Sequence, residues 1–401
     1  MRYVGAASLS ALTALSLAAG LTARYVPPAT VWWPQLAALA LPVTGAVAVP
    51  SAVWSWRTAG RAGGGTRRLV ARSLSVLQGA LVVLACAPTV ADRLPPVAGP
   101  GQSEPGREGG GAGGEEPLTV VSLNAGKAPA HSGPLADFLR DTRPDIVALQ
   151  ETSVRLVPAA GVPGGVAMAT TSGASALATQ TAYRLASPDI EADGLPERGE
   201  VVRDPIFVRE GGVDVPSPDP AVPQGDVSVR LGVEESSGTF TRSVVEWGGQ
   251  AIAVYSVHLR SFGAWRSAER PDSLVGLARY VRRALAGFRE DLVHRAAEAE
   301  RLRAFLDAEP LPYIVAGDLN STPAQWAYRR IAQGHLDVLA VKGRGLSLTF
   351  PSRTPVVRID AIFASPEFHV TGAAVGPPGL SDHRPVVARV MFRRPSSSGS
   401  V

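Results

Sequence analysis

Ser381-Asp382-His383-Arg384-Pro385-Val386-Val387-Ala388 sets a carboxylate and an imidazole side by side at the head of an apolar run. An acid and a histidine fixed together at a strand end are equipped to hold and polarise a water, metal-bound or bare. Alone, such a pair also describes an ordinary surface turn. Five other short runs make the pattern specific. Thr119-Val120-Val121-Ser122-Leu123 ends on Asn124, and Ile146-Val147-Ala148-Leu149 ends on Gln150-Glu151. Ile252-Ala253-Val254-Tyr255 leads to Val257-His258-Leu259, and Tyr313-Ile314-Val315-Ala316 leads to Gly317-Asp318-Leu319-Asn320. Arg358-Ile359-Asp360 opens Ala361-Ile362-Phe363. Buried strands whose ends converge on one rim of a sheet would gather these groups.

The gathered set is rich in oxygen. Glu151, Asp318, Asn320, Asp382 and Asn124, with no cysteine among them, suit Mg²⁺ or Mn²⁺ rather than zinc. A carboxylate such as Glu151 directly after an apolar run is costly inside a core and natural at a metal, although a loop acid has the same sequence signature. Asp318 and Asn320, two apart after a strand, are placed to face one side, and Gly317 lets the backbone turn closely. An Asx turn ahead of Ser321-Thr322-Pro323 is the structural alternative.

In this order the motifs resemble the endonuclease/exonuclease/phosphatase superfamily of metal-dependent phosphoesterases, which includes DNase I-like nucleases, abasic endonucleases, inositol phosphatases and sphingomyelinases. The resemblance runs from Leu118 to Phe392. Sequence pattern alone gives α/β or α+β. The resemblance implies a four-layer αββα sandwich, two mostly antiparallel sheets face to face with helices outside. It also implies hydrolysis of a phosphate ester or anhydride by in-line water, with Mg²⁺ or Mn²⁺ neutralising phosphoryl charge.

The resemblance also implies a role for each residue. Asn124, Glu151 and Asp382 form the metal side. Asp318 positions the attacking water and Asn320 contacts the phosphate. His258 stabilises the phosphate or protonates the leaving group, standing where DNA-repair members show a tyrosine motif. Asp360 orients His383, which acts as general base or as cationic stabiliser.

The rest of the chain sets a context. Val4–Ala23, Val31–Trp56 and Ser73–Val90 read as three transmembrane helices, with tryptophans at both ends of the second. A cleavable signal peptide is the competing reading of the first. Arg57, Arg61, Arg67, Arg68 and Arg72 follow the second span, whereas Arg24 alone follows the first. The positive-inside rule then predicts a multi-pass cell-membrane protein whose catalytic domain is extracytoplasmic.

The expected organisation is a membrane anchor over 1–93, a flexible Gly/Pro/Glu-rich linker over 94–117, the phosphoesterase domain over 118–392 and a disordered tail over 393–401. A long surface loop is expected over 211–238. Three spans, a linker and this domain also resemble the teicoplanin-resistance membrane proteins of actinomycetes. That likeness implies a lipid-linked phosphate or pyrophosphate of cell-wall synthesis as substrate.

Charge points the same way. Of 39 Lys+Arg and 35 Asp+Glu, residues 1–93 hold 8 and 1, which leaves the remainder 31 basic and 34 acidic residues, about −3 net. A duplex-gripping enzyme more often shows a basic face, so nucleic acid is the second choice of partner and a surface-tethered extracellular nuclease the alternative function. The single cysteine, Cys86, excludes an intrachain disulfide. Between the His258 and Asp318 motifs, Ser273–Glu290 carries Leu274, Leu277, Val281, Leu285 and Phe288 at helical spacing, interspersed with arginines. It reads either as a membrane-surface helix or as a packed helix with a solvated basic face.

Overall fold

The computed structural model describes residues 2–59, 65–91, 116–126, 132–158, 166–170, 183–186, 200–215, 229–234, 237–263 and 273–393. The expected linker and tail lie almost wholly outside them. So does most of the 211–238 segment, although Asp214 bridges to Glu246 and Val229–Arg230 forms a short strand. Chain contacts divide into two compact units. One comprises Met1–Arg93, Arg260–Glu300 and Ser321–Ile331, and the other Leu94–Leu259, Arg301–Asn320 and Ala332–Val401.

In the first unit, helices span Arg2–Thr22, Trp33–Leu39, Leu41–Ala59 and Gly65–Ala91. Polar groups are turned inward. Gln78 Nε2 donates to Thr13 Oγ1 at 2.5 Å and to Ser51 Oγ at 2.6 Å, tying three helices together through buried side chains. Leu12, Leu15, Val43 and Val53 are exposed on the outside.

The expectation of three spans is not met. Among the described residues only Gly5–Tyr25 is long and apolar enough by itself to cross a membrane. Trp33–Leu39 and Leu41–Thr58 qualify only together and are bent by 74°. Pro42, in the first turn after the break, cannot continue a helical ladder through it. In the fourth helix, Leu69–Val82 is an apolar section shorter than a span among the described residues.

The second unit is built on strands. β1 is Leu118–Asn124, β2 Ile146–Gln150, β3 Ser153–Pro158, β4 Val166–Thr170 and β5 Tyr183–Leu185. β6 is Glu200–Arg203, β7 Ile206–Arg209, β8 Val229–Arg230, β9 Thr239–Trp247 and β10 Gln250–His258. β11 is Tyr313–Asp318, β12 Leu336–Asp337, β13 Asp360–Ala364, β14 Phe368–Val375 and β15 Val386–Phe392. Two six-stranded sheets run β14-β15-β1-β2-β7-β5 and β12-β13-β11-β10-β9-β8, and β4-β3-β6 form a third. In each large sheet one pair is parallel, β1 with β2 and β10 with β11, and the rest are antiparallel.

Period-two alternation decides what each face touches. Val120, Ile146, Ala148, Ile206 and Ala388 of one sheet pack with Ile252, Val254, Ile314, Ala316 and Ile362 of the other in one buried cluster. On the opposite face of the first sheet, Val121, Leu123, Val147 and Leu149 meet Leu135 and Leu139 of the helix Ser132–Thr142. On the second sheet, Phe240 meets Phe305 near the end of the helix Leu274–Asp307, with ring centroids 5.0 Å apart. Helix, sheet, sheet, helix is the resulting α/β order. β9 and β10 form a hairpin that turns on Gly248 and Gly249, whose φ of 60° and 74° match the two left-handed positions of a tight turn. The Ser273–Glu290 segment forms the first half of one long helix, Leu274–Asp307.

Candidate active site

The inward-facing positions of the strands change character along their length. On β10 they read Ile252, Val254, Ser256 and His258. On β11 they read Ile314, Ala316 and Asp318, and on β13 Ala364, Ile362 and Asp360. Register then sets the last members in a row: His258 pairs with Asp318, and Asp318 with Asp360. Gly317 permits the close approach, since a Cβ there would lie 1.9 Å from the Val257 carbonyl oxygen.

Asn124 closes the row from the other sheet. Its Nδ2 donates to Asp318 Oδ2 at 2.9 Å and to Glu151 Oε1 at 3.2 Å, while its Oδ1 accepts the Gly126 N–H at 3.0 Å. The amide thus separates two carboxylates that would otherwise repel. Glu151 follows Gln150, so strict alternation would aim it at the opposite face of the sheet. Its φ of 55°, left-handed for a residue with a Cβ, breaks the alternation. Asn320 is also left-handed, at 46°. Its N–H donates to Asp318 Oδ1 at 2.8 Å and its Nδ2 to the Leu259 carbonyl at 2.9 Å.

His383 enters from the loop before β15. Its Nδ1 lies 3.0 Å from both Asp360 oxygens, which leaves Nε2 3.8 Å from Asp318 Oδ2. Burial disfavours the charged ring, but Asp360, Asp318 and Asp382 outweigh it and raise the imidazole to about 9. Asp360 is pushed up by its own burial, against the pull of His383. Phe350 lies against the ring, with centroids 4.7 Å apart. Asp382 is exposed beside this group, its Oδ1 3.2 Å from where a Cβ on Gly126 would lie. All eight residues singled out in the sequence lie in this one unit, and hydrogen bonds or close ion pairs join Asn124, Glu151, His258, Asp318, Asn320, Asp360 and His383.

Asp204 is a residue that sequence reasoning missed. It is buried, accepts the Glu151 N–H on Oδ1 at 3.2 Å, and takes the Thr239 hydroxyl on Oδ2. Burial raises its carboxyl to about 6, with His258, Thr239 and Glu151 pulling the other way. Thr239 is the cross-strand partner of His258, so Asp204 joins the backbone of one site residue to the strand of another. The only sequence signal was an acid before Pro205, which reads as a turn.

A divalent cation fits the donors present. Ligand atoms of Asp318, Asp360 and His383 lie within 4.8 Å of one another, but His383 is committed as a cation to Asp360, so the open donors are the Glu151 carboxylate and the Asn124 amide oxygen beside Asp318. His258 Nε2 is buried without a hydrogen-bond partner, 3.6 Å from Glu151 Oε1 and 4.0 Å from Asp318 Oδ2. A buried polar atom left unpaired between carboxylates marks a place where something else binds. The donors are carboxylate and amide oxygens with imidazole and no thiol, a set that suits Mg²⁺ or Mn²⁺.

The profile described as the Endonuclease/Exonuclease/phosphatase family matches residues 121–383. Among solved structures, an endonuclease/exonuclease/phosphatase from Bacteroides vulgatus is 16% identical with a TM-score of 0.44, over 70% of this chain and 100% of that one. A mannosyl-6-phosphatase from Bacteroides thetaiotaomicron is 15% identical at 0.44, over 69% and 100%. The human Nocturnin catalytic domain is 16% identical at 0.42, over 69% and 94%. No curated protein matches the chain.

Proposed function

Because the chain belongs to the endonuclease/exonuclease/phosphatase family, we propose that it is a membrane-anchored, Mg²⁺- or Mn²⁺-dependent hydrolase of a phosphate ester or pyrophosphate, acting outside the cell on a lipid-linked substrate. The observation that carries the catalytic part is the row His258–Asp318–Asp360, with His383 on Asp360 and Glu151 beside His258. Glu151, Asn124 and Asp382 would hold the cation, Asn124 through the second lone pair of its Oδ1. When bound, the cation supplies positive charge against the phosphoryl oxygens.

The chain's own groups divide the remaining work. Asp318, its Oδ1 pinned by the Asn320 N–H, orients the attacking water and takes its proton as the water oxygen bonds phosphorus. The ester or anhydride P–O bond breaks on the far side. His258 Nε2, unpaired in the site, is placed to give the leaving oxygen its proton. His383, held cationic at neutral pH by the carboxylates around it, serves better as a charge stabiliser than as a base. Asp360 fixes its Nδ1 proton and ring orientation.

Support for the anchor comes from the inverted packing of the first unit, with Gln78, Thr13 and Ser51 inside and leucines and valines outside. Bilayer helices pack in this sense, joined by interhelical hydrogen bonds. The arginine-rich segment after the second apolar stretch, with the helix Gly65–Ala91 as a further crossing behind it, supports an outward-facing catalytic unit. The mildly acidic remainder supports a small phosphorylated or lipid-borne substrate over nucleic acid.

The test offers the full chain in detergent, with Mg²⁺, a prenyl pyrophosphate, DNA and a generic phosphodiester in parallel. Preferred turnover of the prenyl pyrophosphate is expected. Preferred DNA cleavage would make the chain a surface nuclease, and no Mg²⁺-dependent turnover of any substrate would refute the reading.

A further inference from the structure

We infer that the amino-terminal half of the helix Leu274–Asp307 is a docking surface for an anionic lipid bilayer, an inference that builds on the membrane anchoring proposed above. One apolar stripe runs the length of this helix. From Leu292 through Ala299, Leu302 and Leu306 it is buried. The same stripe toward the amino terminus is bare: Leu274 is 85% exposed, Leu277 and Val281 45% each, and Leu285 41%. Phe288 continues the spacing but turns in against Phe262, with centroids 5.0 Å apart, and marks where the bare section ends. Four bulky aliphatic side chains in water favour any cover that removes their apolar area.

Charge identifies the cover. From Ser273 to Arg289 there is no Asp or Glu, and Arg279, Arg282, Arg283 and Arg289 are all exposed. The rest of the chain beyond residue 93 is net acidic, so this basic run is local. At 100° per residue, Arg282 and Arg289 fall beside the stripe and the other two farther round the helix. A second copy of this face would set arginines against arginines. An acidic protein surface would answer the arginines and leave the leucines in water. An anionic bilayer offers acyl chains to the stripe and phosphates to its border, the requirement of an interfacial helix. The compact unit that holds this half of the helix also holds the span-length helix Gly5–Tyr25. The helix joins β10, which ends on His258, to β11, which ends on Asp318, so lipid seating acts on the connection between two site strands.

Spin labels on the full chain test this. Cys86→Ser supplies the background, and Val281→Cys carries the label in nanodiscs of phosphatidylglycerol or of phosphatidylcholine alone. In anionic discs, the oxygen-to-nickel accessibility ratio at position 281 should exceed that of a label at Leu346→Cys by about tenfold. Leu346 is exposed on the other unit. Arg282→Glu with Arg289→Glu, or zwitterionic discs, should return it toward the aqueous value. A label at Leu12→Cys, on the first helix, keeps the two proposals apart. Lipid exposure at 12 with an aqueous ratio at 281 would overturn this inference and leave the anchor intact, whereas aqueous ratios at both would overturn the anchor as well. Equal immersion in both lipids would refute the electrostatic part, and dipolar broadening between labels would make the occupant a second copy.

Discussion

Asp204→Asn separates what this buried acid does for the site from what it costs the fold. Burial lifts the Asp204 carboxyl from 3.8 to about 6. At about 1.36 kcal/mol per pKa unit, holding it ionised at neutral pH costs roughly 3 kcal/mol. The sign follows from linkage. A folded pKa above the unfolded one gives stability that is full below about pH 4 and lost as pH rises through about 6. Asparagine keeps the shape and can still accept the Glu151 N–H, but it has no charge to desolvate. The variant should therefore match the wild type near pH 4 and exceed it by roughly 2–3 kcal/mol at pH 7. The gain comes at the expense of the site. Glu151 is held left-handed, at φ 55°, by the Asp204 oxygen, a conformation that costs roughly 1–2 kcal/mol in a residue with a Cβ. A hydrogen bond to a charged acceptor contributes about 1.5–3 kcal/mol, and one to a neutral amide about half as much. Mn²⁺ affinity in Asp204→Asn should fall about tenfold. Hydrogen exchange of the β1, β2 and β10 amides in the full chain, at pH 4 to 7 with chelator present, measures the first effect, and Mn²⁺ titration measures the second. Parallel pH profiles for wild type and variant would refute the reasoning.

Other outcomes follow from the same geometry. Asp318→Ala, His383→Ala and Glu151→Ala should each lower turnover by roughly a hundredfold or more with the fold intact, since these groups sit at strand ends; near-normal turnover by folded His383→Ala would sink the mechanism. Gly317→Ala should destabilise the chain by roughly 1–3 kcal/mol in thermal unfolding, because its Cβ would meet the Val257 carbonyl oxygen at 1.9 Å. Asp360→Asn should drop His383 from about 9 toward the ordinary imidazole range, visible as an earlier ring-proton titration by NMR in chelator. A reporter fused after Val401 should behave as extracytoplasmic, and cytoplasmic activity would overturn the proposed orientation.

The strand-end residues were legible because the signal for each was local. An apolar run followed by Asn, His or Asp places a polar group at the end of a buried strand, and register did the rest for His258, Asp318 and Asp360. Asp204 was not legible. Its neighbours β6 and β7 are four residues each, and what makes it matter is a bond to Glu151 fifty-three residues away. The backbone reversal at Glu151 was equally hidden, since nothing in Gln150-Glu151-Thr152 announces a left-handed residue. The second span reads as one segment because hydropathy averages across the break before Pro42, where the helix bends by 74°.

Between the hydrocarbon core and the titratable rim lies a neutral polar layer, and it explains how so many ionisable groups sit on rigid strands. Ser122 donates to Gln150 Oε1 at 3.4 Å, Gln150 Nε2 donates to Ser256 Oγ at 3.0 Å, and Ser256 donates on to the Leu149 carbonyl at 3.2 Å. All three side chains are fully buried; Ser122 and Ser256 lie one inward position below Asn124 and His258, and Gln150, level with Asn124, links the two sheets. A carboxylate packed directly on leucine and valine would need several kcal/mol of compensation. A layer of hydroxyls and an amide, each with a partner, gives the row above it dipoles to rest on without adding charge. On β10 the inward positions therefore pass from Val254 to Ser256 to His258, and on β1 from Val120 to Ser122 to Asn124, which makes that part of the site as stiff as the core that supports it. Replacing Gln150 with leucine would remove the acceptor of Ser122 and the amide donor to Ser256, and leave Ser256 only its bond to the Leu149 carbonyl. Loss of activity in that variant, with the charged residues all present, is the consequence that distinguishes a supporting layer from filler.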